Sequence, residues 1–162
     1  RRQRQMCIRD SSLTAISDFS KYFKALQANM ENYVIAIAVK DTPGLYFTDA
    51  LYTDMQRIGV TVNLTKKHWY GYAAIIDGGN LLAEDAAYQK VVTVKAKTKD
   101  GVAVVSTSKP LKVGNATAIS FNGVGGSVCR RGINIMVYDK TKKCVCDSVC
   151  FDTHVKSIDC HR

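Results

Sequence analysis

The stretch Tyr33-Val34-Ile35-Ala36-Ile37-Ala38-Val39 is an uninterrupted, β-prone apolar run. A strand with one face in water alternates apolar and polar residues. A run with no polar member suits a strand covered on both faces. The flanking segments read as helices. Before it, Leu13, Ile16, Phe19, Phe23 and Leu26 recur at steps of three and four, the spacing of one helix face, to about Asn29. Asp10, Ser11 and Ser12 offer caps for that helix. After the run, Asp41-Thr42-Pro43-Gly44 has turn chemistry. Thr48 then caps a second helix that carries Leu51, Met55 and Ile58 and stops at Gly59 in the C′ position.

Beyond Gly59 the pattern turns to strands. Val60-Thr61-Val62 is a short one, and Trp69 to Ile76 a longer one that ends at Asp77-Gly78-Gly79. Residues 80–90 carry no decisive pattern. From Val91 to Lys97 apolar and polar residues alternate, as in a half-solvated strand. Asp100-Gly101 then turns the chain into Val102–Val105. Ala116–Phe121 is a further strand, and Ile133–Tyr138 with Cys144–Phe151 form a hairpin across Lys140-Thr141-Lys142-Lys143. The expected fold is therefore α+β, with β-sandwich-like sheets and two helices packed on one side. Residues 1–12 read as a basic arm and linker, and 13–162 as a single domain.

With 162 residues, 46% of them hydrophobic, the chain can bury a core. No apolar run approaches the length of a membrane span, so membrane insertion is not expected. Six cysteines, Cys7, Cys129, Cys144, Cys146, Cys150 and Cys160, in a basic, motif-poor chain read as disulfides. Two sequons, Asn63-Leu64-Thr65 and Asn115-Ala116-Thr117, can accept N-glycan. Together they point to a secreted, extracellular, disulfide-stapled protein. Arg1-Arg2-Gln3-Arg4 resembles a convertase site and contains no apolar signal segment, so any leader would lie upstream. The net charge of +9 favours polyanionic partners. Nucleic acid is disfavoured among them, because no zinc-finger spacing or aromatic–basic signature is present.

On a regular strand Cys144, Cys146 and Cys150 share parity and hence one face. They are then poorly placed to bond one another, so at least one is expected to pair with Cys129 or with another subunit. A four-cysteine zinc site is the alternative, against the spacing and the compartment. No nucleophile elbow, phosphate loop, dinucleotide fingerprint or HExxH helix occurs. His68, His154 and His161 join no catalytic set, so neither an enzyme nor a cofactor is expected.

Several short segments resemble the interleukin-like EMT inducer/PANDER domain family. They are Phe19–Leu26, Val39-Lys40-Asp41, Ile58-Gly59, His68-Trp69, Arg131-Gly132-Ile133-Asn134 and Phe151-Asp152-Thr153-His154. The order is rotated: the family places the RGIN and FD motifs first, whereas here they come last. A circular permutation or a slice cut from tandem domains explains this, and both bring residues 1–12 and 152–162 together. The resemblance thus implies a Cys7–Cys160 disulfide closing the broken loop. It also implies a sugar site, by similarity to the glycan-binding stem domain of a GlcNAc-transferase acting on O-mannosyl glycans. The matching positions are Asp41, Lys66 and Arg131, beside Trp69. Lys66 stands where the family has arginine and loses planar bidentate bonding.

Each of these residues has a structural reading as well. Trp69 can be core, Arg131 can pair with Asp152 across the hairpin, and Asp41 can cap its turn. Three functions remain. A lectin-like module binding glycans or glycoproteins is favoured. A self-assembling structural subunit cut from a larger precursor and a cytokine-like ligand are the alternatives.

Overall fold

The computed structural model describes residues 11–162. Residues 1–10 of the expected basic arm, with Cys7, lie outside the described residues, whereas its last two, Ser11 and Ser12, already belong to a helix. Two antiparallel sheets and three short helices form an α+β domain.

The decisive run is strand β1 (Tyr33–Lys40), buried along nearly its whole length. It lies inside a six-stranded sheet. On one side it pairs with β2 (Tyr70–Asp77) and β3 (Asn80–Tyr88). On the other come β8 (Gly132–Asp139), β9 (Cys144–Asp152) and β10 (Asp159–His161). A second sheet holds β4 (Val92–Lys97), β5 (Ala103–Lys109), β6 (Ala116–Phe121) and the short β7 (Val124–Gly125).

The alternation along β1 explains its composition. Tyr33, Ile35, Ile37 and Val39 pack toward the helices with Phe23, Leu26, Met55 and Ile58. Val34, Ala36 and Ala38 pack toward the second sheet with Val92, Val104, Ile119 and Phe121. Both faces are covered, so no position tolerates a polar side chain. Two serine hydroxyls bind the sheets together: Ser106 Oγ donates to the Ile37 carbonyl and Ser108 Oγ to the Val39 carbonyl.

The first helix is not continuous. It splits into α1 (Ser11–Thr14) and α2 (Phe19–Ala28), because Asp18 turns extended and its carboxylate accepts the Lys21 N–H as a new N-cap. The second helix is α3 (Asp49–Gln56), followed by Gly59 at φ 115°. Val60–Val62 is not a strand; Thr61 and Val62 instead donate their N–H groups to Glu84. Residues 80–88 are the strand β3, turned back against β2 by Gly78 and Gly79, both at positive φ.

Cys144, Cys146 and Cys150 do not share a face. A register irregularity opposite Val137 and Tyr138 inserts one residue into β9 at Cys146. Val145 faces the second sheet, while Cys146 joins the helix-side core. The pleat resumes after the bulge, and Cys150, opposite Asn134, points the other way, toward the carbonyls of Arg130 and Arg131. No four-cysteine cluster can converge from this strand. Among the described residues no group of three or more His, Cys, Asp or Glu side chains could hold a metal. Cys129, Cys150 and Cys160 carry free thiols, so the partner expected for Cys160 in a Cys7–Cys160 closure, and the pairing expected for Cys129, are not found at these residues.

Candidate functional site

Antiparallel pairing brings one end of each central strand to the same edge. Lys40, the last residue of β1, faces Gly132, the first of β8; Ile133 faces Phe151 near the end of β9. The loops after β1 and β9, before β8 and before β2 therefore gather at one rim.

Asp41 stands at the start of this rim. Its backbone pairs with Pro110, and its carbonyl accepts the Leu111 N–H at 3.1 Å. Its φ of 70° is left-handed, a region Asp enters more readily than most residues. Its Oδ1 is buried without a donor. The next residue, Thr42, is a hub. Its Oγ1 accepts the N–H groups of Trp69 at 2.8 Å and Gly44 at 3.4 Å, and its carbonyl lies 3.1 Å from His154 Nε2.

Trp69 is not core. It is 41% exposed and held at φ 61°, which is rare for a bulky residue. Lys112 Nζ sits 5.8 Å from its ring centroid. Beside it the loops expose Leu45, Tyr46 and Leu111.

Arg131 donates a planar pair of hydrogen bonds to Asp152, Nε to Oδ1 at 3.2 Å and Nη2 to Oδ2 at 2.8 Å. The ion-pair reading of Arg131 is thus correct, yet its side chain remains 46% exposed and open to the rim. The hydrogen bond to Asp152 raises the Arg131 pKa, and the Asp41 charge adds to it, which places both carboxylates within its electrostatic reach. Burial pushes the Asp152 carboxyl upward. The hydrogen bonds from Arg131 and from the His154 N–H outweigh that, so it titrates below its usual range. Thr153, fully buried, leaves its Oγ1 without a partner and passes its carbonyl to the Tyr46 N–H.

Of the four residues expected at the site, Asp41, Trp69 and Arg131 meet at this rim. Lys66 lies instead in reach of Asp49, whose carboxylate is held below its usual range first by hydrogen bonds from Asn63 and Thr65. Lys112 and His154, unremarked in the sequence, occupy the rim in its place. Their segments are distant in the chain, and only the Asp41–Pro110 bridge and the β9 register bring them in.

The sequons differ. The Asn63 amide donates to Asp49 Oδ1 at 2.9 Å. Asn115 is exposed just before β6, at φ 47°.

A carboxylate, a guanidinium and an open indole face on one rim can accept from hydroxyls, donate to ring oxygens and stack on C–H groups. Comparison with models of protein families, with curated proteins and with solved structures found no significant match.

Proposed function

We propose that this chain is a secreted, non-enzymatic recognition domain that binds carbohydrate at the rim formed by Asp41, Trp69 and Arg131. One observation carries the reading. Asp41 and Trp69, both in left-handed conformations, are tied to the same Thr42 unit, and Asp41 keeps a buried carboxylate oxygen with no donor. Backbone strain and an unsatisfied acceptor each cost roughly 1–3 kcal/mol, and such features concentrate at functional sites. The exposed indole adds the apolar face that a sugar ring requires.

The rotated resemblance to the interleukin-like EMT inducer/PANDER family is part of this reading. It is supported by the closeness of residues 13 and 162, where Arg162 Nη2 donates to the Leu13 carbonyl at 2.8 Å. Extracellular disulfides and N-glycans are proposed with it. Asn115 is the favoured acceptor, since its side chain is exposed whereas the Asn63 amide is engaged by Asp49.

The test is glycan-array screening of the full chain, followed by calorimetry on the best sugar. Asp41→Asn keeps the shape and the tolerated backbone while removing the charge. It and Trp69→Ala are expected to weaken binding about tenfold or more while leaving the fold intact. Unchanged affinity in both variants overturns the site. A screen with no sugar bound, together with receptor binding or large oligomers, transfers the reading to a signalling ligand or a structural subunit.

A further inference from the structure

Across the Arg131–Asp152 pair from Asp41 lies a cleft of about 530 Å³, lined by Lys40, Cys129, Arg130, Arg131, Asp152 and His161. Three cations face one carboxylate, and that carboxylate is already occupied by Arg131.

The cleft is held by buried groups. Asn134, with no exposed surface, grips the backbone of Arg130 from both sides. Its Oδ1 accepts the Arg130 N–H at 3.1 Å, and its Nδ2 donates to the Arg130 carbonyl at 2.7 Å. The buried thiol of Cys150 donates to the same carbonyl at 3.5 Å and to that of Arg131 at 3.3 Å. Gly132 then turns the chain at φ 111°. Two consecutive arginines are thereby given different tasks: Arg131 is folded onto Asp152, while Arg130 lines the cleft with an exposed side chain. On the facing wall Lys40 Nζ donates to the Cys129 carbonyl at 3.2 Å. An ammonium carries three donors, so it retains capacity for a ligand.

We propose that this cleft binds the oxyanion substituent, sulfate or carboxylate, of an acidic glycan whose neutral ring occupies the Asp41–Trp69 rim. The inference rests on the carbohydrate reading and narrows its substrate class. The guanidinium fork of Arg130 matches a tetrahedral or planar oxyanion. The partner is a single charged substituent and not an extended polyanion, because Asp41 and Asp152 interrupt the cationic surface on the sugar side. A nucleic-acid backbone needs a continuous cationic track.

The experiment is calorimetry on the full chain with four probes: 3′-sulfolactose, 6′-sulfolactose, 3′-sialyllactose and lactose, the last being the neutral counterpart of the other three. A sulfated or the sialylated probe is expected to bind about tenfold tighter than its neutral counterpart, and which of them does so identifies the oxyanion. That ratio falls toward one in Arg130→Ala and in Lys40→Gln, and is preserved in Lys95→Gln on the distant strand β4. A ratio that survives in both cleft variants, or that collapses in Lys95→Gln, overturns the inference in favour of diffuse charge attraction. Equal affinity for charged and neutral probes overturns it too and leaves the carbohydrate reading standing. Failure of all four probes, with sugars bound on an array, again removes only the oxyanion. Failure of every sugar removes both.

Discussion

The guanidinium of Arg162 meets both carboxylate oxygens of Asp147, Nε to Oδ1 at 3.0 Å and Nη2 to Oδ2 at 3.1 Å. Asp147 is almost wholly buried and also accepts the Tyr22 hydroxyl at 2.7 Å. One residue at the chain's end therefore ties β9, α2 and, through the Leu13 carbonyl, α1. Arg162→Ala strands a buried carboxylate. It is expected to cost about 2–3 kcal/mol, less than for a fully buried pair because the guanidinium keeps some solvent. Urea denaturation measures this, and a wild-type midpoint would remove the pair from the stability of the fold.

Acid should act through Asp152. Its carboxyl titrates below its unfolded value, which is about 3.9. The stability it contributes is therefore present above about pH 4 and is lost as pH falls through the folded value. Asp152→Asn lacks that contribution. Its denaturation midpoint should decline less than that of the wild type between neutral pH and about pH 2. Parallel decline in the two proteins would contradict the assignment.

Gly132 should admit no side chain. A Cβ there would lie 2.2 Å from the Phe151 carbonyl oxygen, against backbone that cannot yield, and its φ is 111°. Gly123, at φ 78°, has open space around its Cβ position. Gly123→Ala is expected to cost only the conformational penalty of about 1–2 kcal/mol, whereas Gly132→Ala should cost more or prevent folding. Thermal melts of the two variants compare them directly, and equal losses would refute the close approach.

Thiol chemistry should discriminate between Cys150 and Cys129 in the reduced protein. Burial, helped by the Asp152 charge, pushes the Cys150 thiol up to about 12. Cys129 is partly exposed in the loop before β8. Alkylation at neutral pH should label Cys129 well before Cys150, since the thiolate is the nucleophile. Mass spectrometry of timed samples reads the order, and early labelling of Cys150 would show that its burial is transient.

Much of the fold was legible because β1 states its environment in its own residues: seven apolar positions without a break demand cover on two sides. The turns were legible for the same local reason, as Asp41–Gly44 and Gly78-Gly79 have few other uses. The bulge at Cys146 was not. Counting parity assumes a regular pleat, and nothing in Cys-Val-Cys-Asp announces an extra residue. Strand β3 was hidden by Ala, Leu and Glu, which favour helices when alone; only pairing with β2 makes it extended. At the site, Asp41, Trp69 and Arg131 could be named from their motifs. Lys66 could not be excluded, nor Lys112 found, without knowing that residue 110 lies beside residue 41.

Because β1 supplies its odd-numbered residues to one interior and its even-numbered ones to the other, the two interiors share a common wall. Neither the helix layer nor the outer sheet can melt and leave a dry partner behind, for the strand exposed by one departure is the floor of the other. The molecule should therefore lose both in a single transition, and a lesion in the outer sheet, far from the rim, should weaken the rim itself.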